Sequence, residues 1–260
     1  MLRVSRSGYY KHREKEDKIV LKELVEELFK KHKGNYGKRP IKIALQRRYG
    51  LNVSLPEIAG ILRERGLTAK GGRKKKRKYP TPTKEEYIAG NLVEDKYTAT
   101  EFGDIYCADI SELRCKSGKV YISGIIDVAS RLVVAVNVRT AANKELVMES
   151  IRTAIGRYGK CQIFHSDRGT QYTALTTREL LEANGIRQSM SRPGRPNDNQ
   201  PIESLWKTLK RELDGLKDLY FNEAKRQIFE YIELYYNTER LHSALGYITP
   251  AQARHNLSTS

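Results

Sequence analysis

The chain has 260 residues and a formal net charge of +17, with 30% charged and 8% aromatic residues. That length suggests one or two domains and is enough to bury a core without disulfides or a structural metal. No apolar run approaches the roughly 20 residues a bilayer span needs, and the first ten residues lack the apolar stretch of a secretory signal, so no membrane partner and a cytoplasmic location are expected. Cys107, Cys115 and Cys161 form no C-x-x-C pair and are odd in number, which predicts reduced, buried thiols rather than a disulfide framework.

The charge is unevenly spread. Residues 1–95 hold 25 Lys and Arg against 12 Asp and Glu, whereas residues 96–260 hold 23 against 19. A basic front end ahead of a nearly balanced body points to a polyanion, and nucleic acid fits because each neutralised phosphate releases counterions.

In chain order, Ile19, Val20, Leu24, Val25, Leu28 and Phe29 recur at helical spacing, and Gly34 stops that helix. Pro40 opens a second helix carrying Ile41, Ala44 and Leu45, which Gly50 ends. Ser54 and Glu57 have capping-box spacing before Ile58, Ile61 and Leu62, and Gly66 closes the third helix. Short helices joined by a glycine-containing turn in a basic segment predict a helix-turn-helix DNA-binding domain over residues 1–70. The alternative is a plain helical bundle. Residues 71–97 read as a linker whose block Arg73, Lys74, Lys75, Lys76, Arg77 and Lys78 repels itself and is expected to grip phosphates.

The body, residues 98–215, starts with three strands: one around Ile105–Ile110, one over Val120–Ile126, and one from Leu132 to Val138. They are close enough to form an antiparallel meander. A helix over Lys144–Tyr158, a strand at Gln162–Phe164, a helix over Thr176–Ala183 and a brief strand near Ile186 follow. Helices from about Pro201 to Leu213 and Asn222 to Tyr236 finish the order, the second falling in a C-terminal segment, residues 216–260, that packs on the core. Strands followed by alternating helix and strand give a mixed α/β sheet.

Three acids stand out. Asp109 lies inside an apolar strand, and Asp167 follows a strand at its C-terminal end, where open sheets bind ligands. Glu203 lies near a helix start, with Asn197, Asp198 and Asn199 available as capping residues. Three carboxylates are the least set that holds two octahedral, oxygen-loving ions about 3.5–4 Å apart for displacement at phosphorus. On that reading Asp109 bridges both ions, Asp167 and Glu203 each complete one, and the acids converge to within about 5–6 Å. Read singly, each acid has a plainer role: a turn residue for Asp167, an i,i+4 pair with Lys207 for Glu203. Glu203, Lys207 and Lys210 share a helix face, from which the lysines are expected to meet phosphates or solvent. Trp206, Leu209 and Leu213 read as core. His165 and Asn199 are expected to support the site.

The motifs around these acids resemble those of bacterial insertion-sequence transposases with a retroviral-integrase-like core. His165-Ser166-Asp167-Arg168-Gly169-Thr170-Gln171-Tyr172 is similar to their second catalytic motif, and Arg192-Pro193-Gly194 through Asn197-Asp198-Asn199 to Glu203-Ser204 to their third. The 35 residues between Asp167 and Glu203 match the DD(35)E pattern, with Lys210 as its following basic residue. Cys107-Ala108-Asp109-Ile110 resembles the first motif, with Tyr106 where Trp is common. Tyr236-Asn237, Arg240, His242 through Tyr247 and Thr249-Pro250 resemble the C-terminal signature. Ser5 through Tyr10 and Tyr36-Gly37 resemble the start of the second reading frame in the family with two overlapping frames, often expressed as a fusion to an upstream segment.

The resemblance implies a ribonuclease-H-like core with Asp109, Asp167 and Glu203 as catalytic and metal-binding residues. It implies two Mg2+ ions, with Mn2+ able to substitute. The implied substrate is double-stranded DNA, both the element's terminal inverted repeats and the target, worked on by a homo-oligomer at the nucleoid. Arg240 and His242 are expected to brace the site or contact DNA. Three other readings compete. A retroviral integrase proper needs an N-terminal zinc module, and no cysteine precedes Cys107. An RNA–DNA hybrid nuclease would share the fold but not the basic front end. A catalytically silent DNA-binding regulator of transposition would share the front end without needing the three acids.

Overall fold

The computed structural model describes residues 6–70, 88–93, 99–192 and 196–259. The chain divides into two compact units, Met1–Arg73 and Lys74–Ser260. The basic block Arg73–Lys78 lies outside the described residues.

The first unit is helical. Helix α1 (Arg6–Lys31) ends where Lys33 and Gly34 turn left-handed. Its Val25, Leu28 and Phe29 are buried, while Ile19 and Val20 stay exposed. Helix α2 (Lys38–Tyr49) carries Pro40 in its first turn and is closed by Gly50 at φ 67°, a conformation a side chain would strain. Helix α3 (Leu55–Glu64) starts at Ser54, whose hydroxyl accepts from the Glu57 amide. Ile41, Ala44 and Leu45 of α2 and Ile58, Ile61 and Leu62 of α3 are buried, as helical periodicity requires of helices packed in a small bundle.

The second unit is built on a five-stranded sheet in the order β3-β2-β1-β4-β5. Strands β1 (Ile105–Cys115), β2 (Gly118–Asp127) and β3 (Val133–Arg139) form the antiparallel meander. Strands β4 (Ile163–Ser166) and β5 (Arg187–Met190) add in parallel on the other side of β1. This is the ribonuclease-H-like sheet, with β1 at the junction of its antiparallel and parallel halves.

Helix α4 (Lys144–Tyr158), the one-turn α5 (Thr170–Thr173) and α6 (Leu175–Ala183) connect the parallel strands. Val147, Ile151, Ala154, Tyr172 and Leu181 pack with Tyr106 and Ala108. The alternate residues of β1, Ile105 and Cys107, pack with Ile202, Leu205, Trp206 and Leu209 of α7 (Gln200–Glu212) and with Ala224 and Ile228 of α8 (Phe221–Glu230). The two-residue period of a strand thus splits β1 between two cores.

The helix expected over 222–236 is not uniform. Beyond α8 the chain widens into a π-helical turn, Tyr231–Tyr236, which seats Tyr231 against Glu212 and Tyr236 in the core. Asn237 then clamps the start of β3, accepting from the Val133 amide and donating to its carbonyl. A last helix, α9 (Pro250–Ser258), is capped by Thr249 and Gln252. The three cysteines are buried and free. Among the described residues no helix is long and apolar enough to cross a membrane.

Candidate active site

Strands β1 and β4 run parallel, and their last paired positions are Ala108 and Ser166. The residues that follow these on the two strands are Asp109 and Asp167, so the register brings both acids to the C-terminal end of β4. Asp167 Oδ1 accepts from the Gly169 amide at 3.0 Å, fixing the turn into α5. Protein packed round Asp167 raises its carboxyl above the ordinary value, while Gly169 offsets part of the rise. The residue is nonetheless exposed to solvent, at the end of β4 rather than in the core.

Glu203 sits in the first turn of α7 and is half-buried. Its helix buries Ile202, Leu205, Trp206 and Leu209 and exposes Lys207 and Lys210. Lys207 Nζ lies 3.4 Å from Glu203 Oε2 and is 74% exposed, a pair that contributes little.

Trp206, read from periodicity as core alone, also donates its indole N–H to Asp109 Oδ2 at 2.9 Å. Helical spacing reports which face a side chain occupies but not where a polar tip lands. The available signal was chemical: a buried indole N–H can only donate and needs an acceptor.

The capping expected of residues 197–199 is not what α7 uses, since Asn199 makes no side-chain cap bond to the helix. Asn199 Nδ2 instead donates to the Ala108 carbonyl, next to Asp109. Asp198, fully buried, accepts from Asn91 Nδ2 and from the Arg192 amide and guanidinium. Charge pairing outcompetes capping here because a buried carboxylate needs a cation. His165 is a structural group: its ring nitrogens bond the Ser189 and Ser191 hydroxyls, and burial pushes its pKa down to about 4.

Tyr172 closes the second motif in sequence. Its buried hydroxyl faces that of Ser123 without a well-formed hydrogen bond, and burial together with the Asp109 and Asp167 charges holds the phenol well above its ordinary pKa of 10. The phenol therefore stays protonated, next to the charges of the two acids. Arg240 binds Glu212 Oε1 at 2.9 Å, tying the C-terminal segment to the end of α7.

The donor set is all carboxylate oxygen, which suits a hard divalent cation, and the orphaned Tyr172 hydroxyl beside it suits a polar occupant. The three acids are not closed into a cage. Among the described residues no group of three Asp, Glu, His or Cys side chains is gathered to hold a metal ion. Asp109 is turned to Trp206 and Glu203 to Lys207.

A ribonuclease-H-like sheet with acids where its two halves meet defines the class of nucleic-acid-processing cores. Family models agree: the integrase core domain matches residues 99–196, a second integrase core domain model matches 184–250, and an HTH-like domain matches 14–77. The transposase for insertion sequence element IS904 of Lactococcus lactis is 34% identical, covering 90% of this chain and 93% of that protein. Transposase InsF for insertion sequence IS3A of Escherichia coli is 30% identical, covering 97% and 91%. Among solved structures, the HTLV-2 integrase catalytic core domain in complex with magnesium is similar at 19% identity and a TM-score of 0.45, covering 59% of this chain and 96% of that one. The chain belongs to the insertion-sequence transposases with an integrase core domain, and its function is DNA transposition.

Proposed function

We propose that the second unit is a polynucleotidyl transferase that cleaves insertion-sequence ends and joins them to target DNA, with Asp109, Asp167 and Glu203 as its metal-binding carboxylates. The observation that carries the reading is the β1–β4 register, which sets Asp109 beside Asp167, with α7 delivering Glu203 from the Trp206 side. Two Mg2+ ions, or Mn2+ in their stead, would supply a lowered pKa at the attacking water or 3′-hydroxyl and charge stabilisation at the leaving oxygen. Asp109 sits on the strand that pairs with β4 and is bonded to Trp206 of α7, so it would be the shared ligand. Lys207 beside Glu203 is solvent-exposed, so their ion pair opposes an inward turn of Glu203 only weakly.

The remaining roles are positional. Lys207 and Lys210, exposed on α7, meet DNA phosphates beside the acids. Asn199 ties α7 to the backbone next to Asp109, and His165 holds β4 to β5. Residues 1–70 recognise the terminal repeats through α2 and α3, and Arg73–Lys78 grip phosphates along a linker over residues 71–97. Residues 98–215 form the catalytic core and 216–260 brace it. Protomers assemble on paired DNA ends at the nucleoid.

The test is incubation of the full chain with duplexes carrying candidate terminal repeats, in magnesium or in EDTA. Nicks at the 3′ ends in magnesium alone are expected. Metal-independent binding without any nick would instead identify a silent DNA-binding regulator.

A further inference from the structure

Trp206 is the single tryptophan of the chain and is 2% exposed. Its N–H meets Asp109 Oδ2 at 2.9 Å, three residues along α7 from Glu203. The six-membered edge of its ring lies over Gly124, the residue paired with Asp109 across β1 and β2. A Cβ on Gly124 would stand 2.6 Å from Trp206 Cη2 and 2.9 Å from Cζ2, closer than real contacts allow. Glycine inside a strand costs packing and marks a close approach, and here the approach is that of this ring. The indole is therefore held from below by the missing side chain and from the front by the carboxylate.

We infer that Trp206, seated on Gly124, is a positioning residue that sets the orientation of the Asp109 carboxylate for divalent cations, and that its fluorescence reports occupation of Asp109. The inference rests on the carboxylate reading above. A donor-only N–H fixes one carboxylate oxygen and so orients the lone pairs left for a cation, as outer partners of metal ligands do. Because the same residue stands one turn from Glu203, the bond also sets the distance between the strand that carries one acid and the helix that carries another.

Two measurements test it. The full chain without DNA is titrated with MgCl2 and with MnCl2 while tryptophan emission is followed, with NaCl at matched ionic strength as control. A saturable change with the divalent ions is expected, absent in Asp109→Asn. The metal dependence of end cleavage is then compared for Trp206→Phe, which keeps an aromatic ring but removes the N–H. The half-saturating magnesium concentration is expected to rise about 10–100-fold, with cleavage largely recovered at saturating metal. A role in packing alone would lower the unfolding temperature and leave the metal requirement where it was. In the double variant Gly124→Ala/Trp206→Phe the steric conflict is gone, so stability returns to that of Trp206→Phe while the raised metal requirement persists. Emission indifferent to divalent ions, or an unchanged metal requirement in Trp206→Phe, overturns the inference even if Asp109→Asn abolishes cleavage. Full cleavage by Asp109→Asn would overturn the carboxylate reading and the inference with it.

Discussion

Asn199 donates its side-chain amide to the Ala108 carbonyl at 3.0 Å, tying the residue before α7 to the residue before Asp109. This bond crosses 91 positions of sequence and links the two elements that present Asp109 and Glu203. Asn199→Ala leaves that buried carbonyl without its partner, at a cost of about 1–3 kcal/mol. Thermal unfolding should show the loss, and end cleavage should fall more than DNA affinity. Equal losses in both would remove Asn199 from the site.

Glu212 and Arg240 form the second tie. The Glu212 side chain is fully buried and receives Arg240, Arg211 and the Tyr231 hydroxyl. Arg240→Ala strands much of that charge, and destabilisation of about 3–5 kcal/mol is expected in denaturant melts. Arg240→Lys should recover part of it, since lysine supplies charge without the two-pronged geometry.

The same cluster predicts acid sensitivity. Burial alone would raise the Glu212 carboxyl, yet Arg240, Arg211 and Tyr231 together hold it below its ordinary 4.5. Burial, then Arg240 and Arg131, push His242 down to about 3 from 6.5. For both groups the unfolded chain binds protons at a higher pH than the folded one. Stability from His242 is whole above pH 6.5 and declines as pH falls toward 3, and that from Glu212 declines below 4.5. Unfolding temperatures at pH 7, 6, 5 and 4 should fall, with a shallower slope in His242→Gln. An unchanged slope would mean His242 is not held neutral by this packing.

The basic front end makes a separate prediction. If Arg73–Lys78 grip phosphates, DNA affinity falls steeply as salt rises. Replacing the six by Gln or Ser should lower affinity at low salt and flatten the log–log slope by several units. A slope that survives the replacement would assign phosphate contact elsewhere.

Local features of the fold are legible in the sequence. Gly34, Gly50 and Gly66 mark helix ends, and all three adopt the left-handed backbone that favours glycine. The helix read over Lys144–Tyr158 has those same limits, and the strand read around Ile105–Ile110 falls within β1, which runs on to Cys115. What stayed hidden joins distant residues. Trp206 to Asp109 spans 97 positions and Asn91 to Asp198 spans 107, and periodicity carries no information about either. The π-helical turn at Tyr231–Tyr236 was hidden for a related reason: the tertiary demand of Glu212 on Tyr231 accompanies it, and the segment's own spacing reads as ordinary helix.

The most direct test of the central claim is single-turnover cleavage of an end-labelled terminal repeat in magnesium by Asp109→Asn, Asp167→Asn and Glu203→Gln, with DNA binding measured in parallel. Each neutral variant should bind DNA as the parent does and cleave slower by on the order of a thousandfold, the rate equivalent of several kcal/mol of lost charge stabilisation. Parental cleavage by any one of the three would contradict the account.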